Sequence, residues 1–167
     1  MHLDKKAFLK ELDRNKGILR SLCLSFYSSS EDQNDAFQDV VLQLWKSRES
    51  FRGQAKSSTW IYKVGLNALL SKRRKEQKTI DTESIDSDYR LSSPPSADDD
   101  IELLQVLIRS LPDVDKALVI LYLEGYQNKE IADLINLSAS NVGTRLNRIK
   151  ATLKHKYKTY CYEPGEL

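Results

Sequence analysis

Glycine and proline are scarce in this sequence of 167 residues, which contains six glycines and four prolines. All-β folds rich in loops use both residues freely in their turns, so their scarcity favours helices. Cysteine is rare as well: Cys23 and Cys161 are far apart, and neither lies in a CxxC or Cys/His cluster. This pattern argues against a disulfide framework and against a zinc site. The longest apolar run, Ala117–Leu123, has seven residues, whereas a helix needs about 20 to cross a bilayer.

The amino-terminal residues lead into a charged amphipathic stretch without an apolar core or a small-residue cleavage site. We therefore expect no secretory signal, no membrane insertion and a cytoplasmic location.

Signals of catalysis are also missing. The two histidines, His2 and His155, lie at the terminus and in a basic run, and there is no glycine-rich phosphate loop, no metal-ligand spacing and no nucleophile with a motif partner. We expect no enzyme activity, no catalytic residue, no metal and no cofactor.

Charge divides the chain into three parts. Residues 1–78 hold 16 basic and 9 acidic side chains, residues 79–102 hold 1 and 8, and the remainder is again slightly basic. Residues 79–100 are rich in serine and aspartate and lack a helical period, which is typical of a flexible linker. We predict domains at 1–78 and 101–167. Two basic parts around an acidic spacer suggest two anion-binding modules, although solvated basic helix faces remain an alternative.

Apolar residues recur at helical spacing on both sides of the linker, and no useful strand-like alternation occurs. The sequence predicts an all-α fold of two small helical bundles joined by a flexible acidic linker. The predicted helices cover residues 8–26, 30–47, 58–75, 101–111, 112–125, 128–135 and 139–157.

The strongest motif is a helix-turn-helix at residues 128–146. Ala132 is small where two helices cross, Asn136 tolerates the left-handed turn, and Ser138 can cap the second helix. The second helix of such a motif enters the major groove. Side chains suited to base edges and phosphates are Ser138, Ser140, Asn141, Thr144, Arg145, Arg148 and Lys150.

The first bundle carries two further patterns. Leu42 and Trp45 share an otherwise polar face of the second helix with Asp35, Gln38 and Asp39, which suggests protein docking, although Trp45 could instead pack on the third helix. A loop and helix that interleave aromatic and basic residues suit unpaired nucleic acid, whereas a basic helix end would explain only part of the pattern. These residues are Phe51, Arg52, Lys56, Trp60, Tyr62, Lys63, Asn67 and Arg74.

Taken together, these motifs resemble a bacterial RNA polymerase sigma factor. Residues 35–45, Phe51, residues 59–62 and Asn67 are similar to region 2, and residues 111–126, 130–132 and Arg148 are similar to region 4. A chain with only these two regions resembles the extracytoplasmic-function (ECF) group.

The resemblance implies a role for each surface. The face from Asp35 to Trp45 would dock on the clamp helices of the largest polymerase subunit, and region 4 would contact the flap. The set from Phe51 to Arg74 would open and recognise the −10 element, and the second helix of the helix-turn-helix would recognise the −35 element. An anti-sigma factor is a further expected partner.

Three positions depart from the family pattern: Leu66 stands where arginine is common, Ser71 where an acidic residue is usual, and Asn136 where the turn has glycine. Two alternatives remain open. One is a helix-turn-helix regulator that binds duplex DNA without polymerase, and the other is an adaptor with a sigma-like fold that docks on polymerase without starting transcription.

Overall fold

A computed structural model describes residues 4–80 and 97–162, and the described chain is helical without a strand. Most of the predicted linker, residues 81–96, lies outside the described residues. Its two ends, residues 79–80 and 97–100, are helical and not the flexible chain that was predicted. The helices are α1 (Lys5–Phe26), α2 (Ser30–Ser47), a short 3₁₀ turn (Arg48–Ser50), α3 (Ser57–Ile80), α4 (Ala97–Arg109), α5 (Asp113–Leu123), α6 (Asn128–Ile135) and α7 (Ala139–Tyr162).

Side-chain caps fix the starts of the first two helices. Asp4 accepts a hydrogen bond from the backbone N–H of Ala7 at 2.7 Å, and the Ser29 hydroxyl accepts one from Asp32 at 3.0 Å. Each cap satisfies an amide that has no partner within its helix, and Glu31 and Asp32 add negative charge at the positive end of α2. The predicted span of α2 is confirmed.

Helices α1, α2 and α3 pack around an apolar core that includes Leu19, Leu22, Val40 and Leu44, each at most 1% exposed. Gly65 lets the backbone of α3 lie close to the Leu19 side chain of α1, because a Cβ atom at this position would be only 2.9 Å from Cδ2 of Leu19. This bundle places α2 and α3 side by side with one face of each in solvent.

Helices α4 to α7 form the second bundle and contain the predicted helix-turn-helix. Asn136 ends α6 with a φ of 56°, the left-handed conformation that asparagine tolerates. The Ser138 hydroxyl then accepts a hydrogen bond from the N–H of Asn141 at 3.1 Å and caps α7. Ile131 and Val142 are fully buried between the two helices. The predicted turn, cap and core of the motif are confirmed.

The two bundles also pack against each other, which the sequence did not predict. Arg73 of α3 forms an ion pair with Asp113 of α5 at 3.3 Å. The rings of Tyr62 and Tyr126 meet edge to face at 5.3 Å between centroids, and the Lys116 ammonium lies 5.5 Å from the ring centre of Phe26. The described chain therefore has an apolar core that continues across both bundles.

Candidate functional site

The exposed face of α2 presents an apolar side chain among polar ones. Leu42 is 50% exposed, and Asp35, Gln38 and Asp39 on the same face are exposed as well. A large leucine flanked by carboxylates in solvent is typical of a protein-docking surface. We call these four residues the docking face.

Trp45 was predicted to belong to the same face, but its indole is half-buried. It packs edge to face on Phe8 of α1 at 5.4 Å, and the Arg48 guanidinium lies 3.8 Å from its ring centre. The alternative of packing as core is therefore closer to the structure, and the ring that Trp45 meets belongs to α1.

Lys72 of α3 links its helix to the docking face. Its ammonium donates a hydrogen bond to Asp39 at 2.6 Å and lies 3.9 Å from Glu76. The hydrogen bond to Asp39 raises the pKa of Lys72, and the partial burial of the ammonium opposes this rise. The positive charge is thus stabilised at the edge of the docking face.

A groove of about 770 Å³ runs between α2 and α3. Residues predicted for polymerase docking and for −10 DNA binding both line it. Asp39 and Leu42 of the docking face line one side, and Asn67 of the predicted −10 set lines the other. Val64 and Ala68 add apolar surface to its lining, and Lys46, Lys72 and Lys75 add basic side chains. The docking face and Asn67 therefore border the same groove.

The predicted −10 residues divide by exposure. Five polar or charged members are exposed: Arg52, Lys56, Lys63, Asn67 and Arg74. Phe51 is only 7% exposed and Trp60 is half-buried, with their rings 5.4 Å apart. The expectation that Phe51 is free to stack on a base is not met here, because its ring belongs to the core beneath the loop.

Tyr62 is a second predicted −10 residue whose side chain is buried in the structure. It is 1% exposed beneath Tyr126, and among the described residues no group makes a hydrogen bond of standard length and angle with its buried hydroxyl. Burial, followed by the negative charge of Glu124, raises the pKa of the Tyr62 phenol, and the Glu124 carboxylate is close enough to act as a weak acceptor for the hydroxyl. The side chain cannot touch DNA while the two bundles are in contact.

The second helix of the helix-turn-helix presents an exposed polar face. Ser140, Asn141, Thr144 and Arg148 are exposed, with Lys150 two residues further along. The Thr144 hydroxyl donates to the Ser140 carbonyl at 3.0 Å. Ser138, also exposed, serves as the cap described above. Ser140, Asn141, Thr144 and Arg148 thus share one accessible surface, whereas Lys150 lies on another side of α7, next to Tyr122 of α5. One predicted −35 residue is not free.

The exception is Arg145, whose guanidinium is bound within the protein. Its Nη2 lies 2.8 Å from Oδ1 of Asp115 in α5, and its Nε donates to the same oxygen at 3.1 Å. Arg145 therefore differs from the expected free DNA contact. Neither Asp115 nor Tyr126 was predicted as a site residue, since helical spacing does not show which distant face a side chain meets.

Among the described residues, no group of histidine, cysteine and carboxylate side chains is placed to hold a metal ion. Nor does any helix within residues 4–80 and 97–162 have the length and apolar character needed to cross a membrane.

Comparison with known proteins agrees with this geometry. The model of Sigma-70 region 2 matches residues 12–79, and the model of Sigma-70 region 4 matches residues 101–153. Together they cover more than two thirds of the chain.

Curated relatives extend over nearly the whole chain. The ECF RNA polymerase sigma-E factor of Haemophilus influenzae is 27% identical, over 92% of this chain and 88% of that protein. The sigma-E factor of Escherichia coli K12 is 28% identical, over 92% and 87%. The ECF sigma factor SigM of Mycobacterium tuberculosis is 26% identical, over 90% and 76%.

Solved structures show the same fold. The sigma factor RpoE, in its co-crystal structure with the anti-sigma factor NepR from Bartonella quintana, aligns with a TM-score of 0.76 at 19% identity, over 92% of this chain and 98% of that chain. CnrH, in complex with the cytosolic domain of CnrY, aligns with a TM-score of 0.64 at 18% identity, over 93% and 90%. The chain belongs to the sigma-70 family and is an ECF-type RNA polymerase sigma factor, a transcription initiation factor with regions 2 and 4.

Proposed function

We propose that this sigma factor docks on core RNA polymerase through α2, opens and recognises −10 DNA with α3 and the loop before it, and recognises −35 DNA with α7. In this proposal residues 1–78 act as region 2, residues 79–100 as the linker and residues 101–167 as region 4. The observation that carries the proposal is the groove between α2 and α3, which places the docking face beside Asn67.

Docking would use the half-exposed Leu42 as an apolar anchor and Asp35 and Asp39 for electrostatic complementarity with a basic partner. The chemistry fits a helical pair with basic side chains, such as the clamp helices of the largest polymerase subunit. Region 4 would contact the polymerase flap.

Opening of the −10 element needs no covalent step. A base that leaves the stack costs a few kcal/mol, and contacts with the unpaired strand offset that cost. Arg52, Lys56 and Lys63 supply exposed cations for the phosphates around the loop. Asn67 can hydrogen-bond a base edge from the groove, and Trp60 offers the ring that is partly accessible. Tyr62 would join them only after the bundles separate.

Recognition of the −35 element would use the exposed start of α7. Ser140, Asn141 and Thr144 are short polar side chains suited to base edges or phosphates, and Arg148 suits guanine or phosphate. Lys150 adds a cation next to Tyr122, whose ring centre lies 4.0 Å from its ammonium.

An anti-sigma factor is a further proposed partner, because the RpoE structure described above is a complex with the anti-sigma factor NepR. CnrH was likewise solved with a bound protein, the cytosolic domain of CnrY. We also propose that the protein works in the cytoplasm, where polymerase and promoter DNA are present.

A run-off transcription assay tests the proposal with purified protein, core polymerase from the same cell and fragmented genomic DNA. We expect specific new transcripts, whose start sites would give the promoter sequence. Polymerase binding without transcripts would instead favour a sigma-like adaptor. Binding to duplex DNA without polymerase binding would favour a helix-turn-helix regulator.

A further inference from the structure

The ion pair between Arg145 and Asp115 joins the proposed DNA-recognition helix to α5. Two nitrogens of the Arg145 guanidinium bind the same carboxylate oxygen, at 2.8 Å and 3.1 Å. The Asp115 side chain is 19% exposed and that of Arg145 is 34% exposed, so this pair is more sheltered than the ion pair of Asp13 with Lys16, at 73% and 58%. An ion pair that is sheltered and joined by two hydrogen bonds is weakened less by solvent and salt than an exposed ion pair.

Asp115 also lies close to the start of its helix. It lies in the first turn of α5, where the helix dipole stabilises a carboxylate. Its neighbour Asp113 already binds Lys116 at 3.1 Å and Arg73 at 3.3 Å. The two acidic residues of this turn therefore have different partners. Asp113 pairs with Arg73 of the other bundle, and Asp115 pairs with Arg145 of α7.

The other cations of α7 are placed differently. Arg148 is exposed one turn after Arg145, and no carboxylate within the described part of the chain is paired with it. Lys150 contacts the ring of Tyr122 rather than an acid. Arg145 alone, of these three, is withdrawn from solvent by a negative charge.

We propose that Asp115 is a positioning residue that withholds Arg145 from DNA phosphate, and that it thereby lowers the sequence-independent part of DNA binding. This inference rests on the proposed recognition of −35 DNA by α7. Phosphate contacts add affinity for every sequence, whereas base contacts distinguish sequences. A withheld cation therefore weakens binding to random duplex while it leaves the base-contacting side chains in place.

The salt dependence of binding measures this restraint. Each phosphate contact contributes about 0.9 to the slope of log K against log salt concentration. Asp115→Asn removes the negative charge with little change of shape, and the neutral amide oxygen that remains competes poorly with a phosphate for Arg145. We expect the slope to steepen by about 0.9. One such contact loses about 3.5-fold in affinity between 50 and 200 mM salt.

The experiment measures fluorescence anisotropy of the full chain with a promoter duplex recovered from the run-off assay and with a scrambled duplex of the same composition. Asp133→Asn is the matched control, because Asp133 is an exposed aspartate of α6 in the same bundle and its substitution removes the same charge. We expect Asp115→Asn, but not the control, to tighten binding of the scrambled duplex and to steepen its salt slope.

A double-mutant cycle separates release of Arg145 from a general effect of charge. Arg145→Met alone should leave the slope nearly unchanged, whereas Arg145→Met in the Asp115→Asn background should abolish the added slope. Weaker binding by Asp115→Asn with an unchanged slope, or a lower melting temperature as its sole effect, would show that the pair merely supports α7 and would overturn the proposal.

Arg148→Ala distinguishes failure of this inference from failure of the proposed function. If α7 binds DNA, this variant should lose about 0.9 of the slope. A loss in Arg148→Ala together with no change in Asp115→Asn would reject the restraint and retain the proposed function. Absence of duplex binding in all of these proteins would reject both.

Discussion

Asp39 lies at the edge of the docking face with 56% of its side chain exposed, and its carboxylate pairs with Lys72 at 2.6 Å. Exposed pairs of this kind contribute at most about 1 kcal/mol to folding. A charge at this position therefore matters more for a partner than for the fold.

We expect Asp39→Arg to abolish binding to core polymerase and to lower the free energy of unfolding by no more than about 1 kcal/mol. Pull-down on core polymerase measures the first effect, and urea unfolding followed by circular dichroism measures the second. Asp13→Arg is the control, because it reverses an aspartate that pairs with Lys16 at the same 2.6 Å on α1. An unfolded Asp39→Arg variant would show that Asp39 is structural.

The two cysteines provide a second prediction for single residues. Cys23 is 1% exposed in the first bundle, and burial raises the pKa of its thiol to about 11. The thiolate is the reactive form, so at pH 8 only about one Cys23 side chain in a thousand is reactive. Cys161 is partly exposed near the end of α7.

We therefore expect Ellman's reagent at pH 8 to modify one thiol rapidly in the native chain and both thiols in 6 M guanidinium. Cys161→Ser should remove the rapid phase and leave Cys23 to react at the rate of unfolding. Rapid reaction of two thiols in the native chain would contradict the described burial of Cys23.

The predicted site residues show where sequence patterns succeed and where they fail at this scale. Exposure of Asp39, Asn67 and Arg148 follows from helical spacing, because each lies opposite an apolar face. The burial of Phe51 and the ion pair of Arg145 do not follow from helical spacing. An aromatic in a loop can face the core or the solvent, and an arginine finds its carboxylate only when two distant helices meet.

At the scale of elements, the helix spans followed from the sequence wherever a capping residue or an apolar face limited them. The predicted bounds of α2 and α6 agree with the structure. Helices α3 and α7 extend five residues beyond their predicted ends, through Ile80 and Tyr162. Their final turns are mostly charged or polar, so no apolar period marks the continuation, and lysine and threonine permit it without a stop signal.

The crossing of α1 and α3 gives a prediction at this scale. A Cβ atom on Gly65 would lie 2.9 Å from Cδ2 of Leu19 and 3.3 Å from Cγ1 of Val40, both in fully buried side chains. We expect Gly65→Ala to lower the free energy of unfolding by up to about 2 kcal/mol, because overpacking a tight core costs about 1–3 kcal/mol and the better helix propensity of alanine returns about 0.5–1 kcal/mol of it. Thermal and urea unfolding measure the change.

Gly17 supplies the matched control. It lies inside α1 with nothing within 4 Å of an added Cβ. Gly17→Ala should therefore stabilise the chain by about 0.5–1 kcal/mol, through the better helix propensity of alanine. Equal effects of the two substitutions would contradict the close packing at Gly65.

At the scale of the whole molecule, the contact between the bundles is the feature that the sequence did not reveal. Amphipathic spacing identifies one buried face for each helix, whereas this contact uses residues at the edges of those faces, such as Tyr62, Arg73 and Lys116. Lys116 is 4% exposed, and this burial lowers the pKa of its ammonium despite the pairing with Asp113. A buried lysine at a bundle contact has no signature in a single sequence.

The Tyr62 hydroxyl gives a prediction for this contact. A buried hydroxyl without a hydrogen bond costs about 1–3 kcal/mol. Tyr62→Phe removes that hydroxyl and keeps the ring on Tyr126. We expect the free energy of unfolding of the free chain to rise by about 1 kcal/mol, as measured by urea unfolding.

Tyr126→Phe is the control across the same contact, because the Tyr126 hydroxyl is only partly buried and lies beside Thr59. This change should bring no gain in stability. A destabilised Tyr62→Phe variant would show that its hydroxyl has a partner in solution.

The contact between the bundles also limits the length of duplex DNA that one molecule can span. A compact chain of 167 residues has a radius of gyration of about 15 Å, hence a diameter of about 40 Å. At a rise of about 3.4 Å per base pair, 40 Å corresponds to about 12 base pairs of duplex. While Tyr62 lies on Tyr126, one molecule therefore could not span two elements that are further apart than this. If the closed form is favoured tenfold, the apparent affinity for the full promoter falls about elevenfold. A substitution that tightens this contact would consequently shorten the reach of the protein without harming either bundle.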